Sequence, residues 1–208
     1  MAALGDELVG VYLTGSGAMG AYAPGVSDLD VWAVVRGPVP GAARRAIVAR
    51  VDHAALPCPA RGLELVVAHF AGTAAVVQVN LNDGPRMARR IATASSRMPA
   101  AHWFTIDAAI GREHALPLAG PPPGAAFPIV PRSAQLAAVR RSLAWHRRTA
   151  GASPDATLNA LRGARYALEG VWGSKAAAVE WAASARPAWA QEARAALALR
   201  YRAGRPMT

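Results

Sequence analysis

With 208 residues, 53% of them apolar and 17% charged, the chain can bury the core of one large or two small domains and is too apolar to be disordered. No apolar run approaches the roughly 18–20 residues of a membrane-spanning helix, and the first ten residues carry Asp6 and Glu7 but no basic residue, the wrong pattern for a secretory leader. The net charge of +10 is lopsided: residues 1–130 set 10 Arg against 9 acids, whereas residues 131–208 set 12 Arg and Lys175 against 4 acids, which suggests two domains and an anion near the second.

The first half alternates between strand and helix patterns. Residues 8–14 form a β-rich apolar run that stops at Gly15-Ser16-Gly17, and residues 29–35 form another, closed by Gly37-Pro38. Residues 42–55 predict a helix, with Ile47, Val48 and Val51 at helical spacing. The single cysteine, Cys58, sits between Pro57 and Pro59; it excludes a disulfide framework and a cysteine-rich zinc site, and the expected compartment is the cytoplasm. Residues 63–70 and 75–81 read as short strands, 104–114 as a helix and 116–119 as a last short strand. Gly120-Pro121-Pro122-Pro123-Gly124, with Pro128 and Pro131 beyond it, predicts a stiff linker over 121–131 between domains at 1–120 and 132–208.

The second domain reads as four helices. Ser133 is expected to cap the first, which runs to about residue 150. Ser153-Pro154 opens the second, to about 168, and Ser174 caps the third, to 185. Pro187 opens the fourth, to about 201. Trp145, Trp172, Trp181 and Trp189 are the expected core of this bundle, and Arg140, Arg141, Arg147 and Arg148 an exposed basic face. The overall class is α+β.

Two glycine-rich readings compete near the start. Gly15-Ser16-Gly17-Ala18-Met19-Gly20 matches a dinucleotide-binding loop, but Pro24 and Gly25 interrupt the long helix that such a loop must open. The same loop fits better with Ser27-Asp28-Leu29-Asp30-Val31, which enters the next strand. Residues two apart on a strand point the same way, so Asp28 and Asp30 share a face. Paired carboxylates suit Mg²⁺, which keeps waters and takes phosphate oxygens, while the Gly15-Ser16 turn offers backbone N–H groups and a hydroxyl to phosphate. Glu64 is the one polar residue in Leu63-Glu64-Leu65-Val66-Val67, and burying a carboxylate there is costly without a partner or a site. His53, His102 and His146 share no metal-ligand spacing, and His69 and His114 fit structural roles.

Thr14-Gly15-Ser16 followed by Ser27-Asp28-Leu29-Asp30 resembles the signature of the polymerase-β-like nucleotidyltransferase superfamily. Leu63-Glu64-Leu65-Val66-Val67, Arg112-Glu113-His114, and Leu161-Arg162, Lys175 and Glu180-Trp181-Ala182 are similar to the aminoglycoside adenylyltransferases that modify streptomycin and spectinomycin. The resemblance implies a mixed-sheet palm domain followed by a helical bundle, with the active site between them. It implies Mg²⁺ on Asp28 and Asp30, Glu64 as catalytic base, and Gly15, Ser16 and Ser27 at the triphosphate. It also implies Asp107 at the nucleotide and Arg162 and Lys175 on phosphates, with ATP as co-substrate and a small hydroxylated acceptor. The segment Asn80 to Arg89 lacks the aromatic residue that this family stacks on its substrate, and in the second domain only Asp155 remains near the family's acids for a cationic antibiotic.

The expected activity is transfer of AMP from ATP to a hydroxyl group. The alternatives are the same chemistry on a metabolite, protein or RNA end, and a non-catalytic basic protein that binds nucleic acid. Three clustered acids argue against the last, since they repel phosphate without a metal. No membrane partner is expected.

Overall fold

The apolar runs of the first half pair into one mixed sheet. The computed structural model describes residues 3–53, 60–94, 102–149, 151 and 153–203. Its contacts divide the chain into two units, Met1–Val130 and Pro131–Thr208. Cys58 lies outside the described residues, and the helix expected over 42–55 ends earlier, at Arg50, because Val51 turns to an extended conformation.

Six strands build the first unit: β1 (Leu8–Leu13), β2 (Leu29–Val35), β3 (Leu63–Ala71), β4 (Ala74–Gly84), β5 (Met87–Thr93) and β6 (Leu116–Ala119). Their order across the sheet is β5-β4-β3-β2-β1-β6. The β2–β3 pair is parallel and the others are antiparallel. A parallel pair needs a long crossover, and the connection between β2 and β3 contains α2 (Gly41–Arg50). Among the described residues the remaining α-helices of this unit are α1 (Gly15–Ala18), α3 (His102–His114) and α4 (Pro123–Ala126).

Alternation along the strands sorts two cores onto the two faces. Ala33, Val35, Leu65, Val67, Val79 and Leu81 bury with Ile47 of α2. Trp32 points the other way, its ring 6.3 Å from Phe104 of α3, 6.1 Å from Phe70 and 5.7 Å from Phe127. Phe127 is only 2% exposed and also meets Tyr12 edge-on at 5.1 Å. The proline-rich stretch expected to be a linker is therefore packed on the first unit as far as Val130. Tyr12 Oη donates to the Pro121 carbonyl (2.9 Å), and Arg112 donates to the carbonyls of Gly124 and Phe127.

β5 carries Arg89 and Arg90 and has no apolar alternation strong enough to predict it. It is the sheet's outer strand, where exposed charge is tolerated and discourages further pairing. Arg89 also donates to the Val48 carbonyl (3.0 Å) at the end of α2, where a cation meets the negative end of the helix dipole.

The second unit holds α5 (Arg132–Thr149), α6 (Pro154–Glu169), α7 (Lys175–Ala185) and α8 (Pro187–Ala203). The expected caps form at two helices: Ser153 Oγ accepts from Ala156 N–H (3.2 Å) and Ser174 Oγ from Ala177 N–H (3.1 Å). Ser133 is not a cap, because α5 begins one residue earlier, with Gln135 N–H bonded to the Pro131 carbonyl at 3.1 Å. The core joins Leu158 and Leu161 of α6, Val179 and Trp181 of α7, and Ala193 and Ala196 of α8. Of the four tryptophans expected there, Trp172 and Trp181 are buried, Trp145 is half-buried, and Trp189 is 41% exposed. Trp172 stacks on Tyr166 at 4.3 Å and donates to Gln135 Oε1 (2.7 Å). Arg140, Arg141, Arg147 and Arg148 are exposed, as their helical spacing predicts. Among the described residues no helix is long and apolar enough to cross a membrane.

Candidate active site

The parallel register of β2 and β3 sets Asp30 directly beside Glu64. Asp30 and Trp32 share a strand face, so the two carboxylates lie on the side of the sheet that receives α3. Asp107 of α3 and Asp28, just ahead of β2, are close enough for their charges to act on Glu64. Burial first, then Asp30, Asp107 and Asp28 in that order, push the Glu64 carboxyl up to about 8. Four residues named from the sequence thus converge: Asp28, Asp30, Glu64 and Asp107.

The glycine-rich loop supports this cluster through its backbone. Thr14 N–H donates to the Asp30 carbonyl (2.8 Å), tying the end of β1 to β2. Gly15 then turns at φ +59°, and a Cβ there would lie 1.8 Å from Asp30 Oδ2. Only glycine combines that conformation with that approach. Ser16 lies in α1, and α1 is four residues long, so the loop does not open the extended helix of a dinucleotide site. Ser27 is buried, and its Oγ accepts from Ala23 N–H (3.1 Å) within the turn that delivers Asp28.

Two neighbours of the acids escaped the sequence reading. Arg61 donates its N–H to the Ser27 carbonyl (3.1 Å) and brings Nη1 to 3.9 Å from Asp28 Oδ2. Asn82 lies directly across from Glu64 on β4, with its amide 3.5 Å from Asn80 Oδ1. No local pattern marks either residue; Arg61 is near the site through the β2–β3 pairing and Asn82 through the β3–β4 register. Of the histidines, His69 meets Gln78 Nε2 at 3.5 Å and His114 lies 3.7 Å from Glu113.

The donor chemistry fits a hard divalent cation. Among the described residues no group of three or more His, Cys, Asp or Glu side chains could hold a metal by itself. Asp30 against Gly15, with Asp28 and Asp107 close enough for their charges to raise Glu64, forms a partial set that leaves ligand positions for water and phosphate oxygens, as Mg²⁺ prefers. The remaining candidates, Arg162 and Lys175, belong to the second unit. Arg162 Nε donates to the Gly173 carbonyl (2.8 Å), and Lys175 Nζ donates to Asp155 Oδ1 (2.6 Å).

No family model matches this sequence, and no curated protein matches it. Among solved structures, the chain is similar to a spectinomycin adenyltransferase from Enterococcus faecialis, with a TM-score of 0.70 over 100% of this chain and 87% of that one. The chain has an adenylyltransferase-like fold. Sequence identity is 16%, so the likeness lies in the architecture, a mixed six-stranded sheet with helices, followed by a helical bundle. That structure was determined with ATP and spectinomycin.

Proposed function

We propose that this protein is a Mg²⁺-dependent nucleotidyltransferase that moves AMP from ATP to a hydroxyl of a small molecule. The observation that carries the reading is Glu64 held beside Asp30 by the β2–β3 register, within reach of the charges of Asp28 and Asp107. The neighbour's ATP supports the choice of co-substrate.

In this reading Glu64 takes the proton of the acceptor hydroxyl while its oxygen attacks Pα of ATP. The Pα–O bond to pyrophosphate breaks, and pyrophosphate leaves with the bonding electrons. Mg²⁺ on Asp28 and Asp30 would neutralise phosphate charge and offset the repulsion that keeps Glu64 protonated. Gly15 and Ser16 offer a turn to phosphate oxygens, Ser27 holds the turn that carries Asp28, and Asp107 contacts the nucleotide. Arg162 and Lys175 bind phosphate oxygens. Such transfer needs little beyond positioning and charge neutralisation.

An aminoglycoside is the acceptor suggested by the sequence resemblance. The second unit favours a neutral or anionic acceptor instead, since residues 131–208 set 12 Arg and Lys175 against 4 acids, a poor surface for a polycation. A pyrophosphate-release assay with ATP and Mg²⁺ tests both, using aminoglycosides and neutral polyols or sugar phosphates as acceptors. Silence across the whole panel, with ATP bound, would sink the transferase reading.

A further inference from the structure

Asp155, Asn159 and Arg162 are spaced i, i+4 and i+7 on α6 and so share one face. Lys175, the first residue of α7, donates to Asp155 Oδ1 at 2.6 Å, and Arg200, in the last turn of α8, donates to the same oxygen. Arg162 lies close enough for its charge to act on Lys175. His146 of α5 completes the surroundings, 3.3 Å from Asn159 Nδ2. Two cations therefore meet one carboxylate, and a third lies within charge range of Lys175.

Asp155 does not balance that charge. Burial and the neighbouring Arg200 pull the Lys175 ammonium below its ordinary value, and Asp155 only partly restores it. Lys175 also sits at a helix N-terminus, where the dipole disfavours a cation. The exposures are uneven: the Asp155 side chain is 46% exposed, against 25% for Lys175 and 16% for Arg200. The cations are held more deeply than their counter-ion, so an anion from solvent can take the carboxylate's place without moving them far.

We propose that Arg200 is a third phosphate-binding cation beside Arg162 and Lys175, and that Asp155 is the resting counter-ion which a polyphosphate displaces. The inference rests on the nucleotidyl-transfer reading for its natural ligand, the triphosphate of a nucleotide. The competing account is a staple: an ion pair between α6 and α8 that contributes only modestly to stability and binds no ligand.

Calorimetric titration of the full chain with inorganic tripolyphosphate, and separately with ATP–Mg²⁺, decides between them. Wild type should bind both. Arg200→Ala should weaken both by about tenfold or more, whereas Arg147→Ala, on the exposed face of α5, should change neither. Arg200→Gln keeps a hydrogen-bonding arm without charge and should show the same loss where the alanine variant does not fold. Asp155→Asn should tighten tripolyphosphate several-fold, because the competing charge is gone. Unchanged affinities in folded Arg200→Ala or Arg200→Gln, with only a lower Tm, would overturn the proposal, as would a wild type that ignores tripolyphosphate. Loss of tripolyphosphate binding in an enzyme that turns over no acceptor would leave the anion site standing and reject nucleotidyl transfer. Normal turnover with unaltered polyphosphate affinity in folded Arg200→Ala would do the reverse.

Discussion

Glu64→Gln is expected to stabilise the metal-free protein while removing its chemistry. Burial and the neighbouring acids raise the Glu64 carboxyl from its ordinary 4.5 to about 8. Between those values the folded chain holds a proton that the unfolded chain has released, so stability falls as pH rises through the window. At about 1.4 kcal/mol per pH unit the whole window is worth on the order of 5 kcal/mol, and a few kcal/mol of that is already lost at pH 7. Glutamine keeps the shape and never ionises, so its variant lacks this loss. Thermal melts in chelator from pH 5 to pH 8 should converge at the acid end. At the basic end the variant should melt higher by roughly 5–15 °C, at a few degrees per kcal/mol. Added Mg²⁺ should narrow the gap, since a cation on Asp28 and Asp30 offsets part of the repulsion. Turnover should drop by about 10²–10⁴-fold, the usual worth of a positioned base. Melting curves that run parallel across the pH range would refute the electrostatic account of Glu64.

Asp30→Asn should abolish Mg²⁺-dependent turnover and leave the metal-free Tm at pH 8 equal or higher, because it removes a charge that acts on Glu64; near-normal turnover would reject Asp30 as a metal ligand. Gly15→Ala drives a Cβ to within 1.8 Å of Asp30 Oδ2 at φ +59°; it should cost about 1–3 kcal/mol in urea unfolding and more than about 100-fold in turnover. Phe127→Ala empties a site in the aromatic core of the first unit, and chemical denaturation should register a loss of about 3–5 kcal/mol; a near-neutral value would mean that the segment after Gly120 is a linker after all.

What was legible in the sequence was whatever a few neighbouring residues decide. β2 spans 29–35 and β6 spans 116–119, as their apolar runs and turn signals predict. Ser153 and Ser174 cap their helices because a side-chain oxygen three residues ahead of an N–H is a local arrangement. The glycine loop and the Asp28–Asp30 spacing were equally local. Glu64 could be singled out as a carboxylate out of place in an apolar strand.

Other features exist only once distant segments meet. Glu64 becomes a neighbour of Asp30 through a parallel register between strands 34 positions apart, and its raised pKa comes from burial and from that meeting. Arg61 reaches Asp28 by the same pairing. β5 has no signal of its own and is a strand because β4 offers it an edge. Phe127 follows a run of prolines that reads as a spacer, yet burying its ring against Tyr12 and Trp32 outweighs the stiffness of that run. Asp155, Lys175 and Arg200 sit on three helices, and only the packing of the bundle makes them one cluster. Propensity and capping act over about one turn of chain, whereas charge and burial act through space, so the sequence revealed the elements and their chemical groups, and the tertiary structure decided which groups face one another.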